Sequence, residues 1–528
     1  MLLIFHVGDR FFDRLPEWLA SGTLLRVVPA DYGPWGPNND EVRHWFDPWA
    51  AIVQLEFGSG SNVKGRSRML ESPPQQAATA PNSTGYVWMG IGTPPHPGPR
   101  SDPNPKCALG PMAEPNGDVN AARMGDTFLA LTDASYYTAF DGLGDLATTA
   151  PSFKWRDRVE GPLGFISAAH PAHDASTGEW FDFVGTFDPL LFANETAAAE
   201  ADKGLKYDYT VFRVPNATAQ AREKLAKVPM RGAAMIHSMG LTDEHLVVLE
   251  YPYRMGFLKP RTPKRGGIAD FAGWVDGEPV VAHVVHRATG VVASIVGGAN
   301  ESWFNGHTIN TFLDPNDKTN RTIVHDVIAY PHFDLLNNFR LDVLAGGAAG
   351  GKNRDIYDGR VRRCTIKLGV LGGGSFSCED LANAALLDKG IGLELPMTNR
   401  RRVDRRPYQF LWSCALGNQS DYYDRIVKVD VTTGDATIWA PNPPANDAGG
   451  GGPLFVNEPM FAPRPGATDE DDGAILTVVF DAATNSSFVA VLDAATMVER
   501  ARVEAPGGFI GFHFHGLWCD ATGDCSHN

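Results

Sequence analysis

The sequence predicts an all-β protein built from repeated hairpins, and two observations carry that prediction. Runs rich in β-branched and aromatic residues recur along the 528-residue chain, each bounded by turn residues, which is typical of strands. The 56 glycines and 38 prolines supply many turns and disfavour a helical bundle. Clear runs of this kind are 127–132, 245–250, 322–328, 474–480 and 487–492. The last two flank a polar turn and predict a hairpin.

A short turn motif, with a threonine near its end and often a glycine after it, recurs between strand-like runs. It occurs at 174–178, 287–290, 430–434 and 493–496. This loose repetition indicates hairpins arrayed in blades, as in a propeller. No linker is evident, so we expect a single domain over residues 1–528. Helical pattern is scarce, and its best candidates are 194–203, 219–226 and 379–388.

The charge balance and hydropathy exclude several classes of function. The formal net charge is −16, which gives no electrostatic footprint for nucleic acid. No apolar run reaches the roughly 18 residues that a membrane helix needs. The start of the chain lacks the basic region of a signal peptide, so we expect a cytoplasmic or peripheral membrane protein that is not secreted. A plastid location is compatible with this if a transit segment precedes the chain.

The cysteines and glycosylation motifs support the same compartment. The six cysteines are Cys107, Cys364, Cys378, Cys414, Cys519 and Cys525, and none forms a Cys-x-x-Cys pair. We interpret them as buried thiols in a reducing cytosol. Without a signal peptide, the seven Asn-x-Ser/Thr motifs are interpreted as chance matches.

Four of the 15 histidines lie in apolar contexts that packing alone does not explain well. They are His170, His237, His307 and His515. The first three are 67 and 70 residues apart, which matches one blade per step, and the fourth follows 208 residues later, about three such steps. Taken singly, each is more often a core histidine bonded to a carbonyl. Together on a propeller axis they would form an all-imidazole site, which suits iron, copper or zinc.

These four contexts, in this order, resemble the carotenoid cleavage oxygenase family over nearly the whole chain. The matching segments are Gly22–Arg26, His44–Asp47, Ala169-His170-Pro171, Ile236-His237-Ser238, Phe304–Asn310 and Phe514-His515-Gly516. The resemblance implies a seven-bladed β-propeller with a cap of loops and short helices. It also implies one Fe(2+) per chain on the propeller axis, held by the four histidines.

The resemblance further implies acidic residues that accept the ring proton of three histidines and so orient them. The matching positions are Glu394, Glu458 and Asp133, the last where the family has glutamate. Because aspartate is one methylene shorter, we expect its bond to be longer or bridged by water, or else the strand to shift inward. Thr132 matches a family threonine whose methyl group narrows the open position for oxygen. Pro48, Ser238 and Leu313 depart from the family pattern and indicate a divergent branch.

The implied activity is oxidative cleavage of a conjugated double bond in a carotenoid or apocarotenoid, giving aldehyde or ketone products. A stilbenoid-cleaving dioxygenase and a retinoid isomerohydrolase on the same fold stay open as alternatives. The complete histidine set disfavours a non-catalytic binding propeller, and no acid–base dyad is expected beside the iron. The expected partners are an apolar polyene, O2 and a membrane surface touched peripherally through 86–92 or the region of 107–112. The sequence leaves the oligomeric state and the bond that is cut undetermined.

Overall fold

The structure of the chain, a computed structural model, describes most of the sequence in segments. They are residues 2–7, 15–34, 41–59, 62–80, 116–148, 164–186, 207–215, 221–255, 272–332, 335–345, 359–370, 372–381, 386, 391–417, 420, 422–441, 453–505, 508 and 510–526. These residues form a seven-bladed β-propeller of antiparallel strands with a few short helices. The all-β prediction and the implied seven-bladed architecture are therefore confirmed.

Of the first three blades, the second and third form one continuous sheet, in which strand Gly164–Ile166 pairs with strand Glu179–Thr186. The first comprises Leu2–Val7, Thr23–Asp31, Trp49–Phe57, Asn62–Met69, Gly516–Cys519 and Cys525–Ser526. The second comprises Asn120–Met124, Thr127–Thr132, Ala134–Phe140 and Gly164–Ile166. The third comprises Ala172–Asp174, Glu179–Thr186, Tyr207–Val214 and Glu223–Met230.

The remaining four blades follow one another in chain order. The fourth comprises Gly240–Leu241, His245–Glu250, Val281–His286 and Val292–Val296, with a side hairpin of Tyr253–Met255 and Ala272–Trp274. The fifth comprises Phe304–Leu313, Thr322–Tyr330, Arg360–Leu368 and Gly374–Asp380. The sixth comprises Gly392–Met397, Phe410–Leu416, Arg425–Asp430 and Ala436–Trp439. The seventh comprises Leu454–Val456, Met460–Pro463, Gly473–Asp481, Ser486–Asp493 and Glu499–Ala505.

The first and last blades are joined by hydrogen-bonded strands, which closes the ring. Strand Leu2–Val7 pairs with Asn62–Met69 of the first blade and with Glu499–Ala505 of the last. Strand Gly516–Cys519 pairs with Thr23–Asp31. This closure covers strand edges that would otherwise be exposed. It also holds the inner strands in place around the propeller axis.

The recurrent turn motif closes hairpins as predicted. The backbone N–H of Gly178 donates to the carbonyl oxygen of Asp174 at 2.8 Å, and that of Gly434 donates to Asp430 at the same distance. The φ values of these two glycines are +73° and +85°, the left-handed region that glycine adopts without a steric cost. The predicted hairpin near residue 480 is also present, as strands Gly473–Asp481 and Ser486–Asp493.

Helices are few and short in the described residues, and one helix prediction is wrong. The α-helices are Pro73–Thr79, Leu335–Asn338, Leu341–Ala345 and Arg400–Val403, with a 3-10 helix at Glu17–Leu19. The segment 219–226 leads instead into strand Glu223–Met230, which pairs with Tyr207–Val214. The candidate 194–203 lies outside the described residues, and 379–388 begins as the end of strand Gly374–Asp380.

Four cysteines form disulfides, so the prediction of six thiols is wrong. Cys364 and Cys378 lie directly opposite each other on neighbouring strands of the fifth blade, and Cys519 pairs with Cys525 across a tight hairpin. Strand register brings each pair together, which spacing in the sequence does not show. Cys414 is a buried thiol, and Cys107 lies outside the described residues. Since disulfides persist mainly in oxidising compartments, the cysteines no longer argue for a reducing cytosol.

Candidate metal centre

Four histidines from four different blades converge on the propeller axis. His307 lies within the inner strand Phe304–Leu313, and His515 directly precedes strand Gly516–Cys519. His170 and His237 lie in adjacent inner segments, and the backbone N–H of His170 donates to the carbonyl oxygen of His237 at 3.2 Å. The four candidate ligand atoms all lie within 4.8 Å of one another. This group could hold one metal ion.

A carboxylate faces Nδ1 of three of these rings. Glu394 Oε2 lies 2.5 Å from His307 Nδ1, and Glu458 Oε1 lies 2.8 Å from His515 Nδ1. Asp133 Oδ1 lies 2.8 Å from His237 Nδ1. A carboxylate that accepts the Nδ1 proton leaves Nε2 unprotonated and directed at the centre, the form in which histidine binds metal.

The pKa shifts of Glu394 and His515 agree with these roles, whereas, against the effect of burial, Asp133 raises the pKa of His237 above its ordinary value. Burial would raise the pKa of Glu394, but the facing His307, together with hydrogen bonds from the Leu395 N–H and the Tyr330 hydroxyl, holds that pKa below its ordinary value. Burial, reinforced by the three neighbouring rings, lowers the pKa of His515 well below its ordinary value. Glu394 is therefore ionised and His515 neutral at neutral pH, which are the states that a metal site requires.

Asp133 reaches its histidine directly, so the expectation of a long or water-bridged bond is wrong. Its 2.8 Å distance to His237 equals that of the Glu458–His515 pair. Asp133 lies in the bend between strands Thr127–Thr132 and Ala134–Phe140, where the strand register shifts. At this position the aspartate side chain is long enough to reach the ring without a bridging water.

Replacing Asp133 with glutamate is therefore expected to bring no gain in metal retention, because no gap exists for the longer side chain to close. Asp133→Ala should weaken retention less than Glu458→Gln, since the Asp133 side chain is 26% exposed and that of Glu458 is fully buried. Metal content after dialysis against a chelator measures metal retention in both variants. Tighter metal binding by Asp133→Glu would contradict this account.

Thr132 precedes this bend and is buried. Its side chain hydrogen-bonds the carboxyl group of Asp118, whose pKa is raised to about 8 by burial and by the nearby Asp47 and Asp133. The bond fixes the orientation of the Thr132 side chain.

Arg26 binds the carboxylate that faces His515. Its role was not identified from the sequence. Its guanidinium donates to Glu458 Oε2 and, at 2.9 Å, to the backbone oxygen of Glu458. Both side chains are fully buried. Because Arg26 and Glu458 are 432 residues apart, no local pattern could reveal the pair. Arg26 therefore fixes the carboxylate that orients His515.

Ser238, which departs from the family pattern, ties two ligand segments together. Its hydroxyl oxygen accepts the backbone N–H of Thr308 at 3.0 Å and lies 3.1 Å from the Thr308 hydroxyl. The residues after His237 and after His307 are therefore held in register with each other.

Gly306 is required for the contact between Glu394 and His307. A Cβ atom added at Gly306 would lie 2.2 Å from Glu394 Oε1. Gly306→Ala is therefore expected to displace the carboxylate and lower metal affinity about 10-fold or more, measured as metal per chain after dialysis. Gly298→Ala is the matched control, because nothing lies within 4 Å of its added Cβ. Unchanged metal content in Gly306→Ala would show that the contact between Glu394 and His307 does not require a glycine at this position.

The fold and the centre define a seven-bladed β-propeller with four histidines on its axis that could hold one metal ion. The chain belongs to the retinal pigment epithelial membrane protein family, whose sequence profile matches residues 13–520. The predicted family resemblance is thereby confirmed.

Individual relatives match over most of the chain at modest identity. The mitochondrial carotenoid-cleaving dioxygenase of Homo sapiens is 25% identical, covering 97% of this chain and 88% of its own length. The chloroplastic carotenoid cleavage dioxygenase 8 of Arabidopsis thaliana is 25% identical, covering 96% and 82%. Among solved structures, a variant of the Synechocystis apocarotenoid oxygenase covers 98% of this chain and 96% of its own with a TM-score of 0.70. At 19% identity, this last likeness shows the fold.

Proposed function

We propose that this protein is a non-haem iron(II) dioxygenase that uses O2 to cleave a conjugated double bond of a carotenoid or apocarotenoid into two carbonyl products. The observation that carries the proposal is the four-histidine centre with a carboxylate behind three of its rings. The relatives named as carotenoid-cleaving dioxygenases support the substrate class. His170, His237, His307 and His515 are the proposed ligands.

The donor set fits ferrous iron. Four neutral imidazoles suit late first-row metals, and the carboxylates at Nδ1 increase the basicity of Nε2. Iron bound there would supply the one-electron chemistry that lets triplet oxygen react with a closed-shell alkene. One Fe(2+) per chain is the proposed cofactor. Glu394, Glu458 and Asp133 hold the ring protons, and Thr132 is the proposed steric wall beside the oxygen position.

An aromatic cluster beside His515 supports an apolar substrate. Trp45, Phe46, Phe339 and Phe514 pack with ring centroids 4.9 to 5.1 Å apart in neighbouring pairs. Phe514 directly precedes His515, and their ring centroids are 6.5 Å apart. Trp45 and Phe339 are buried in the core, and Phe46 and Phe514 are partly buried against it. This apolar cluster would keep water away from a reacting bond held beside His515.

The proposal is tested with iron-loaded protein and a panel of carotenoids and apocarotenoids, in air and under nitrogen. We expect O2-dependent formation of paired aldehydes or ketones, identified by mass spectrometry, and their loss in His307→Ala. A stilbenoid and a retinyl ester belong in the panel. Cleavage of the stilbenoid alone, or isomerisation of the retinoid without O2, would replace the proposal with that activity. Iron-loaded protein that converts none of the polyenes would contradict it.

We also propose peripheral contact with a membrane, because polyene substrates partition into lipid. In the part of the chain that the structure describes, no helix is long and apolar enough to cross a membrane. The two segments suggested for this contact, 86–92 and 107–112, lie outside the described residues.

Two of the relatives carry mitochondrial and chloroplastic names, so the proposed location includes organelles as well as the cytoplasm. The single domain over residues 1–528 stays a prediction.

A further inference from the structure

The fourth histidine of the centre faces an amide where the other three face carboxylates. The Nδ2 atom of Asn120 lies 3.2 Å from His170 Nδ1. Asn120 is buried, with 2% of its surface exposed. It lies at the start of strand Asn120–Met124, beside the segment that carries His170.

Two backbone hydrogen bonds fix the orientation of this amide. Nδ2 donates to the carbonyl oxygen of Ala169 at 3.1 Å, and the amide oxygen accepts the backbone N–H of Ala121 at 2.8 Å. Turning the amide over would place its oxygen against the oxygen of Ala169 and its NH2 against the N–H of Ala121. Both bonds would be lost in a buried site, which is costly. The NH2 group therefore stays directed at His170.

An amide N–H and a carboxylate have opposite effects on a histidine ring. A carboxylate accepts a proton from Nδ1 and leaves Nε2 free to bind metal. An N–H donor at Nδ1 needs a lone pair there, which favours the tautomer that carries its proton on Nε2. Metal binding through Nε2 of His170 must therefore work against Asn120, whereas binding through the other three rings is assisted.

We propose that Asn120 is a positioning residue that makes His170 the most weakly held of the four ligands, the one that binds last and dissociates first. The inference rests on the proposed metal site but not on the substrate. A ligand that detaches without disturbing the other three gives the ion a route in and out of a buried centre. Metal would then exchange on the His170 side.

The test compares Asn120→Asp with wild type in cobalt(II)-loaded protein transferred into excess chelator. The aspartate gives His170 the acceptor that the other rings have, so we expect cobalt to dissociate several-fold more slowly. Asn116→Asp is the matched control, since the Asn116 amide is also buried and bonds the backbone groups of Pro48 and Ala50. Cobalt should dissociate from this control variant at the wild-type rate. Faster loss from Asn120→Asp than from Asn116→Asp would mean that Asn120 only supports the fold, and would overturn the proposal.

A second measurement covers the case in which Asn120→Asp folds poorly. Nitrogen-15 spectra of the metal-free wild-type protein, labelled at histidine, report which ring nitrogen carries the proton. We expect the proton on Nε2 for His170 and on Nδ1 for the three rings paired with carboxylates. A His170 proton on Nδ1 would overturn the proposal. Neither readout involves substrate, so failure of the carotenoid assay would leave both results interpretable.

Discussion

Glu458→Gln and Glu394→Gln are each expected to weaken metal retention or activity by about 10- to 100-fold while the propeller stays folded. Glutamine keeps the shape of the side chain but removes the charge that holds the Nδ1 proton of His515 or His307. The ring then loses its fixed tautomer and part of its basicity towards the metal. Metal per chain by elemental analysis, together with circular dichroism for the fold, measures the effect.

An exposed carboxylate provides the control for these variants. Glu223 pairs with Arg213 on the surface of the third blade, and its side chain is 53% exposed. Glu223→Gln should therefore leave metal content and activity at the wild-type level. If both centre variants match Glu223→Gln, the assignment of the carboxylates is wrong.

Arg26→Met is expected to destabilise the protein by about 3–5 kcal/mol, because it leaves Glu458 buried without its partner. The same change frees the carboxylate that orients His515, so metal retention should fall as well. Denaturant unfolding of the metal-free protein measures the change in the free energy of unfolding separately from the loss of metal.

Arg68→Met is the matched control for this second prediction. Arg68 pairs with Glu71 at 3.6 Å, and both side chains are at least 40% exposed. A pair of that kind contributes about 0–1 kcal/mol. Equal stability losses in the two variants would mean that the buried pair contributes no more than a surface pair.

Local patterns predicted strands and turns well where a segment's own composition determined its structure. The runs at 127–132 and 245–250 are strands, and the threonine-containing turns close hairpins. The segment 219–226 failed because good helix formers there are overridden by pairing with Tyr207–Val214. Burial alternates over residues 226–230 of strand Glu223–Met230, a period of two that indicates a strand.

The candidate site was predictable only through the order of its motifs. Spacing suggested one blade per step for His170, His237 and His307, but only the family resemblance distinguished them from ordinary core histidines. Arg26 and Asn120, which contact the ligands or their carboxylates, were not predicted because their contacts depend on which strands become neighbours. The direct contact of Asp133 with His237 likewise could not be read from side-chain length, so the expected gap was wrong.

The most direct test of the account is X-ray absorption of the iron-loaded protein at the iron edge, combined with metal analysis. We predict about one iron per chain with four imidazole nitrogens at roughly 2.0–2.2 Å, by extension from histidine–zinc distances. Substituting His307 or His515 should reduce both the iron content and the imidazole signal. Protein that contains zinc alone and is fully active, or iron without imidazole ligands, would contradict the central claim.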